Sequence, residues 1–110
     1  MSPESKENLL DILNRAEEIQ RFTKGYTFSD YQNDSKTRLA VERLLEIIGE
    51  ALNRVKKSDP TTLDLIEDYR SIISFRNILA HAYDHIEDKI VWGIIESDLP
   101  KLIRDIQKIS

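Results

Sequence analysis

Cysteine is absent from the 110 residues, so no disulfide framework can staple the chain and no thiolate can hold a metal. A reducing cytoplasm is the expected home. Glycine and proline number three each, too few to punctuate a strand-and-turn fold. With 40% apolar and 33% charged residues, the composition suits helices with one polar and one apolar face. No apolar run approaches the roughly 20 residues that span a bilayer. The opening Met1-Ser2-Pro3-Glu4 is polar, so neither export nor a membrane partner is expected. Basic charge is short as well. A net charge of −4 argues against a broad grip on nucleic acid, because non-specific binding is dominated by phosphate neutralisation. Any RNA has to bind a local patch.

The length suits one domain, 1–110, with no linker, repeat or sustained heptad dividing it. A chain this short buries only about two-thirds of its unfolded surface, so a partner surface would add useful stability. Ser2, Pro3 and Glu4 read as an N-cap, a first-turn proline and a dipole-complementing acid. The stripe Leu9, Ile12, Leu13, Ala16, Ile19 and Phe22 then predicts a first helix ending near Gly25. Residues 26–30 lack a helical period and are expected to form a loop, with Ser29 or Asp30 capping the second helix. From Tyr31 to Lys57, the positions Leu39, Val41, Leu44, Leu45, Ile48, Ala51, Leu52 and Val55 predict a long helix. Gly49 inside it suggests close approach of another backbone. After Ser58-Asp59-Pro60, Leu63, Ile66, Tyr69, Ile72, Ile73, Leu79 and Ala82 continue a helical period with a break expected near Asp68. A last stripe runs from Ile90 to Ile109, where Pro100 should kink or restart the helix with Ser97 or Asp98 as a new cap. The predicted fold is an all-α up-down bundle of four to five helices.

Unusual polar residues concentrate in one apolar segment, Arg76-Asn77-Ile78-Leu79-Ala80-His81-Ala82-Tyr83-Asp84-His85. Imidazole can act as acid and base near neutrality, and guanidinium offers a fixed cationic fork to phosphate oxygens. His81 could therefore move protons at a ribose 2′-hydroxyl or a leaving oxygen while Arg76 stabilises charge on the phosphorus centre, with no metal or other cofactor. Helical positions five apart lie about 140° from each other, so Arg76 and His81 do not share a face, whereas Arg76 and Tyr83 fall within about 20°. Either the arginine bends round, the helix frays near His81, or two copies bring their sets together at an interface. The interface reading also explains how a small acidic protein could build a cationic cleft. On spacing alone the same residues also suit bland roles: Arg76 as a surface ion-pair partner, His81 as a hydrogen-bonded helix residue and Tyr83 as a packed aromatic. His81 and His85 have the H-x-x-x-H spacing of a two-imidazole metal site beside Asp84, yet no third ligand is identifiable.

At these residues the chain resembles the HEPN superfamily and, within it, the HepT-like toxins, whose signature R-x-x-x-x-H-x-Y reads here from Arg76 through His81 to Tyr83. The stretch from Ala40 to Ala51 is similar to that family's second-helix signature. Val91-Trp92 followed by Leu99-Pro100 resembles its last helix. Ala82 departs from the polar residue often found between the histidine and tyrosine and leaves the motif intact. The resemblance implies a homodimer whose cleft is lined by both copies of Arg76 and His81, and metal-independent endoribonuclease activity that is toxic through cleavage of cellular RNA. It also implies an antitoxin partner, a minimal nucleotidyltransferase of the MntA type that transfers AMP from ATP to the Tyr83 hydroxyl. A phosphodiester-linked adenosine there would offer Arg76 a decoy phosphate and fill the space RNA needs. Asn77 and Glu50 are candidates for orienting Arg76 or His81, or for structural hydrogen bonds alone. The rival reading is a non-catalytic HEPN module that binds nucleotide or presents substrate to a nucleotidyltransferase. A metal-dependent hydrolase is a third.

Overall fold

The computed structural model describes residues 1–67, 69, 70, 72, 73 and 88–109, and every regular element among them is helical. Helix α1, Pro3–Thr23, begins as its sequence predicts. The Ser2 hydroxyl accepts from the Ser5 amide at 3.1 Å, and Pro3 occupies the first turn, where its missing N–H costs nothing. Leu9, Ile12, Ala16 and Ile19 are buried, but the stripe then slips by one residue. Phe22 is 41% exposed, and Thr23 takes the inner position with its hydroxyl donating to the Ile19 carbonyl at 2.9 Å. Gly25 ends the run at φ +78°, a left-handed conformation that glycine adopts without a Cβ penalty.

The expected loop at 26–30 contains a helix instead: α2, Phe28–Gln32. Its cause is local. The Thr27 hydroxyl accepts from the Asp30 amide, and the Asp30 carboxylate accepts from the Thr27 amide at 2.9 Å, a reciprocal capping box that holds one turn too short to display a period. Asp34, rather than Ser29 or Asp30, then caps the long helix α3, Ser35–Ser58. Its carboxylate accepts from the Thr37 amide at 3.2 Å and hydroxyl at 2.7 Å, and from the Tyr26 hydroxyl at 2.6 Å.

Val41, Leu44, Leu45, Ile48, Ala51, Leu52 and Val55 form the buried side of α3 and pack mainly on α1. Gly49 is buried among them. The pair is antiparallel: Arg54 donates to the Asn8 side chain at 3.4 Å at one end, while Phe22, Lys36, Thr37 and Ala40 line a shallow hollow at the other. Leu39, which the periodicity places in the stripe, is 69% exposed. Helix α4, Pro60–Leu63, comes directly after the predicted stop at Ser58-Asp59. Non-helical backbone at 64–67 separates it from helical residues at 69–70 and 72–73, so the expected break falls just ahead of position 68.

The last helical stretch comprises α5, Asp88–Gly93, a π-helical turn, Ile94–Asp98, and α6, Leu99–Ile109. Pro100 does not stop and restart this helix. Proline cannot donate to the carbonyl four residues back, and its ring crowds that carbonyl. The wider turn accommodates it: the Leu99 amide bonds to the Ile94 carbonyl, five residues back, and the backbone stays helical on both sides. Val91, Ile94, Ile95, Leu99, Leu102, Ile103 and Ile106 are buried, whereas Ile90 is turned out at 49% exposure.

Candidate functional site

Arg76, Asn77, His81, Tyr83, Asp84 and His85, with Leu79 and Ala82, lie outside the described residues. The predicted catalytic pair, the modified tyrosine and the alternative histidine metal site are therefore not seen together. Of the predicted set, Glu50 is described: it is half-buried on α3, next to buried Gly49 and Ala51. Among the described residues no three His, Asp or Glu side chains converge as a metal site, and no helix is long and apolar enough to cross a membrane.

The frame at both ends of the segment 74–87 is seen. On the upstream side Ile66, Tyr69 and Ile72 are buried in the core, the Glu67 amide donates to the Asp105 carboxylate on α6 at 3.0 Å, and the Arg70 guanidinium lies 4.8 Å from the Tyr69 ring centroid. The upstream chain is thus tied to the last helix by a hydrogen bond from its backbone, while its apolar side chains join the common core.

On the downstream side α5 docks against α2, and its Asp88 reaches Arg38 in the first turns of α3. Trp92 packs its ring 5.5 Å from that of Tyr31 and 6.5 Å from that of Phe28, within the range of favourable tilted aromatic pairs. One turn earlier on α5, Asp88 meets the Arg38 guanidinium at 3.8 Å, both side chains about a quarter exposed. Arg38 also donates to the Gln32 carbonyl at the end of α2. One guanidinium therefore links the end of α2, the start of α5 and its own helix.

Glu42 lies half-buried one turn along α3 from Arg38. Burial raises its pKa, Asp88 raises it further, and Arg38 opposes both. Tyr31 is fully buried beside them, and its hydroxyl has no hydrogen-bond partner among the described residues. Burial pushes its pKa far above the usual phenol value, with Glu42 and Asp88 adding to the rise and Arg38 opposing it. The outer corner of α3 is different in kind. Asp34 accepts the Tyr26 and Thr37 hydrogen bonds that hold its pKa down at about 2, and the Tyr26 pKa is raised chiefly by the same bond.

Sequence reading missed the Arg38–Asp88 pair and its neighbour Glu42. Arg38 and Asp88 are 50 positions apart, and nothing local marks them as partners. The only sequence signal was the four-residue spacing of Arg38 and Glu42, which puts both on one side of a helix.

The family model described as "Ribonuclease HepT-like" matches residues 12–109 of the chain. A protein of Thermococcus cleftensis named "Probable ribonuclease HepT" is 34% identical over 109 residues, which cover 99% of this chain and 98% of that one. A "Putative RNase" of Methanocaldococcus jannaschii is 32% identical over 99 residues, 90% of each chain. Another of that printed name, from Caldanaerobacter subterraneus subsp. tengcongensis, is 30% identical over 98 residues, 89% of this chain and 87% of its own. No solved structure matches. A match that begins in α1, takes in the segment from Arg76 to Tyr83 and runs to the end of α6 places this chain in the HepT-like ribonuclease family of the HEPN superfamily.

Proposed function

We propose that this protein is a metal-independent endoribonuclease that acts as the toxin of a toxin–antitoxin pair, with Arg76 and His81 as its catalytic residues. The observation that carries the reading is that the family match over residues 12–109 contains the full Arg76, His81 and Tyr83 set at R-x-x-x-x-H-x-Y spacing. His81 takes the proton from a ribose 2′-hydroxyl as that oxygen attacks phosphorus, or returns one to the departing 5′ oxygen. Arg76 stabilises the charge that grows on the phosphoryl oxygens. With a net charge of −4, one copy has little cationic surface to spare. We therefore assign the active form to a cytoplasmic homodimer in which two copies of the pair line one cleft.

Control falls to Tyr83. A partner nucleotidyltransferase of the MntA type transfers AMP from ATP: the Tyr83 oxygen bonds to the α-phosphorus, the bond to pyrophosphate breaks, and the hydroxyl proton is released. The added phosphodiester carries about one negative charge beside Arg76, and its adenosine occupies space that RNA needs. Asn77 and Glu50 are assigned supporting roles in orienting the pair.

Cleavage of total RNA in excess EDTA tests the chemistry. His81→Ala should lower the rate at least about 10²-fold, the usual scale for losing a general acid or base. Cleavage that stops with EDTA, or that survives the substitution, would reject this mechanism. Sedimentation of a monomer at micromolar concentration would reject the shared cleft.

A further inference from the structure

We infer that the hollow between the end of α1 and the start of α3, lined by Phe22, Lys36, Thr37 and Ala40, is a subsite for one base and one phosphate of single-stranded RNA. The inference rests on the ribonuclease reading above and gives its substrate a contact outside the R-x-x-x-x-H-x-Y segment.

Shape is the first observation. Thr23 takes the buried position at the end of α1 by donating its hydroxyl to the Ile19 carbonyl, and the Phe22 ring is left 41% exposed. A single exposed apolar side chain means little. This one walls a hollow of about 230 Å³, smaller than the roughly 300–1,000 Å³ of pockets that enclose a drug-sized ligand. It suits one flat ring rather than a whole molecule.

Charge is the second. Residues 19–29 and 35–41, which supply both walls of the hollow, contain Arg21, Lys24, Lys36 and Arg38 and no acidic residue, in a chain of net charge −4. Arg38 is engaged by Asp88 and the Gln32 carbonyl. Arg21, Lys24 and Lys36 are exposed, and their side chains make no hydrogen bond or ion pair among the described residues. The neighbouring acid, Asp34, spends its oxygens on the Tyr26 hydroxyl and on the amide and hydroxyl of Thr37 rather than on a lysine. Here, then, is the local cationic patch that an acidic protein needs to hold a polyanion.

An aromatic ring beside uncompensated cations is what single-stranded nucleic acid selects: a base stacks on the ring face and a lysine takes the adjacent phosphate. Thr37 adds an acceptor, because its hydroxyl proton is committed to Asp34 and its oxygen is left for a base N–H. Ala40, with nothing beyond its Cβ, leaves the ring room to enter. A double helix hides its base faces in the stack, so the fit is to a single strand.

The test measures binding of a short, labelled single-stranded RNA to the full chain by fluorescence anisotropy at several salt concentrations. The RNA is 2′-O-methylated so that no 2′-hydroxyl can attack. Phe22→Leu keeps the apolar bulk and loses the aromatic face, so Kd should rise about tenfold, on the scale of one stacked base, while Phe22→Tyr should stay within about twofold of wild type. Lys36→Gln should flatten the plot of log Kd against log salt by about 0.7, the value for one phosphate contact on a single strand. Binding of a duplex of the same sequence should not respond to Phe22→Leu. Wild-type Kd in Phe22→Leu, an unchanged salt slope in Lys36→Gln, or no binding by wild type overturns the inference. A loss of RNA affinity that follows a changed sedimentation coefficient in Phe22→Leu also overturns it, because the face then joins protein to protein.

Cleavage of unmethylated RNA, measured in parallel, keeps the two readings apart. Cleavage whose KM is the same in wild type, Phe22→Leu and Lys36→Gln rejects the subsite and leaves the chemistry standing. Binding that depends on Phe22 and Lys36, with no cleavage by wild type, rejects the chemistry and leaves the subsite.

Discussion

The π-helical turn at Ile94–Asp98 supports a prediction that separates three deletion variants by folding energy. A π turn bonds each amide five residues back where an α-helix bonds four back, so it behaves as one inserted residue. Deleting exposed Ser97 should convert it to α-helix while leaving α5 and α6 on the faces they now bury. That deletion alone sets Pro100 inside an ordinary α-helix, at a cost of about 3 kcal/mol. Adding Pro100→Ala should recover nearly all of it. Deleting exposed Lys101 instead turns every later residue by about 100°. Leu102, Ile103 and Ile106, now at 1%, 8% and 0% exposure, would leave the core at about 1.5–3 kcal/mol each. Such a loss is comparable to the whole stability of a small domain, about 5–15 kcal/mol. Trp92, the only tryptophan, reports the docking of α5 on Tyr31 by its fluorescence during urea or thermal unfolding. The expected order of stability is wild type close to the Ser97 deletion with Pro100→Ala, then the Ser97 deletion alone, with the Lys101 deletion unfolded. If the Ser97 deletion with Pro100→Ala unfolds as the Lys101 deletion does, the turn is not a one-residue insertion and the reasoning fails.

Ile48, fully buried in the middle of α3, should cost about 2–5 kcal/mol when truncated to alanine, read as a lower midpoint in urea with an unchanged slope; a loss under about 1 kcal/mol would show that the site collapses. Asp34 has a pKa of about 2 against 3.8 for a free carboxyl. A depressed folded-state value contributes stability that is fully present above 3.8 and lost as pH falls through about 2. Asp34→Asn keeps a capping oxygen without the titration, so the Tm difference between wild type and variant should be constant above pH 5 and shift against wild type between about pH 4 and 2. A difference independent of pH would refute the assignment. Tyr83→Phe should fold normally and still cut RNA, yet take up no AMP from the nucleotidyltransferase and ATP; equal mass gain in variant and wild type would place the modification elsewhere.

Much of the fold was legible because amphipathic helices repeat their pattern over many turns. The stripes of α1, α3 and the last stretch from α5 through α6 each exceed ten residues, long enough for periodicity to outweigh single exceptions such as Phe22, Leu39 and Ile90. The failures are shorter than the pattern. Helix α2 has five residues and rests on one capping box. The turn at Pro100 depends on a choice between two hydrogen-bond registers that the residue string does not display. The candidate site divides along the same line. Arg76, His81 and Tyr83 stand within eight positions and could be read as a motif, whereas Arg38 and Asp88 meet only because α3 and α5 come together in the fold. That relation is tertiary, and no local pattern encodes it.

The antiparallel pairing of α1 and α3 has a consequence for synthesis. Both helices lie within the first 58 residues, and Arg76 is still 18 codons away when Ser58 is added. At about 5–20 residues per second the ribosome needs roughly 1–4 s for that stretch, while helix formation takes on the order of a microsecond. The residues of α1 and α3 are thus joined to the chain before its proposed nuclease segment exists, and Asp88, the ion-pair partner of Arg38, comes later still. Translation itself sets the order of events, so a ribosome that stalls or a message cut short before codon 76 releases a chain carrying the platform and none of the proposed catalytic residues.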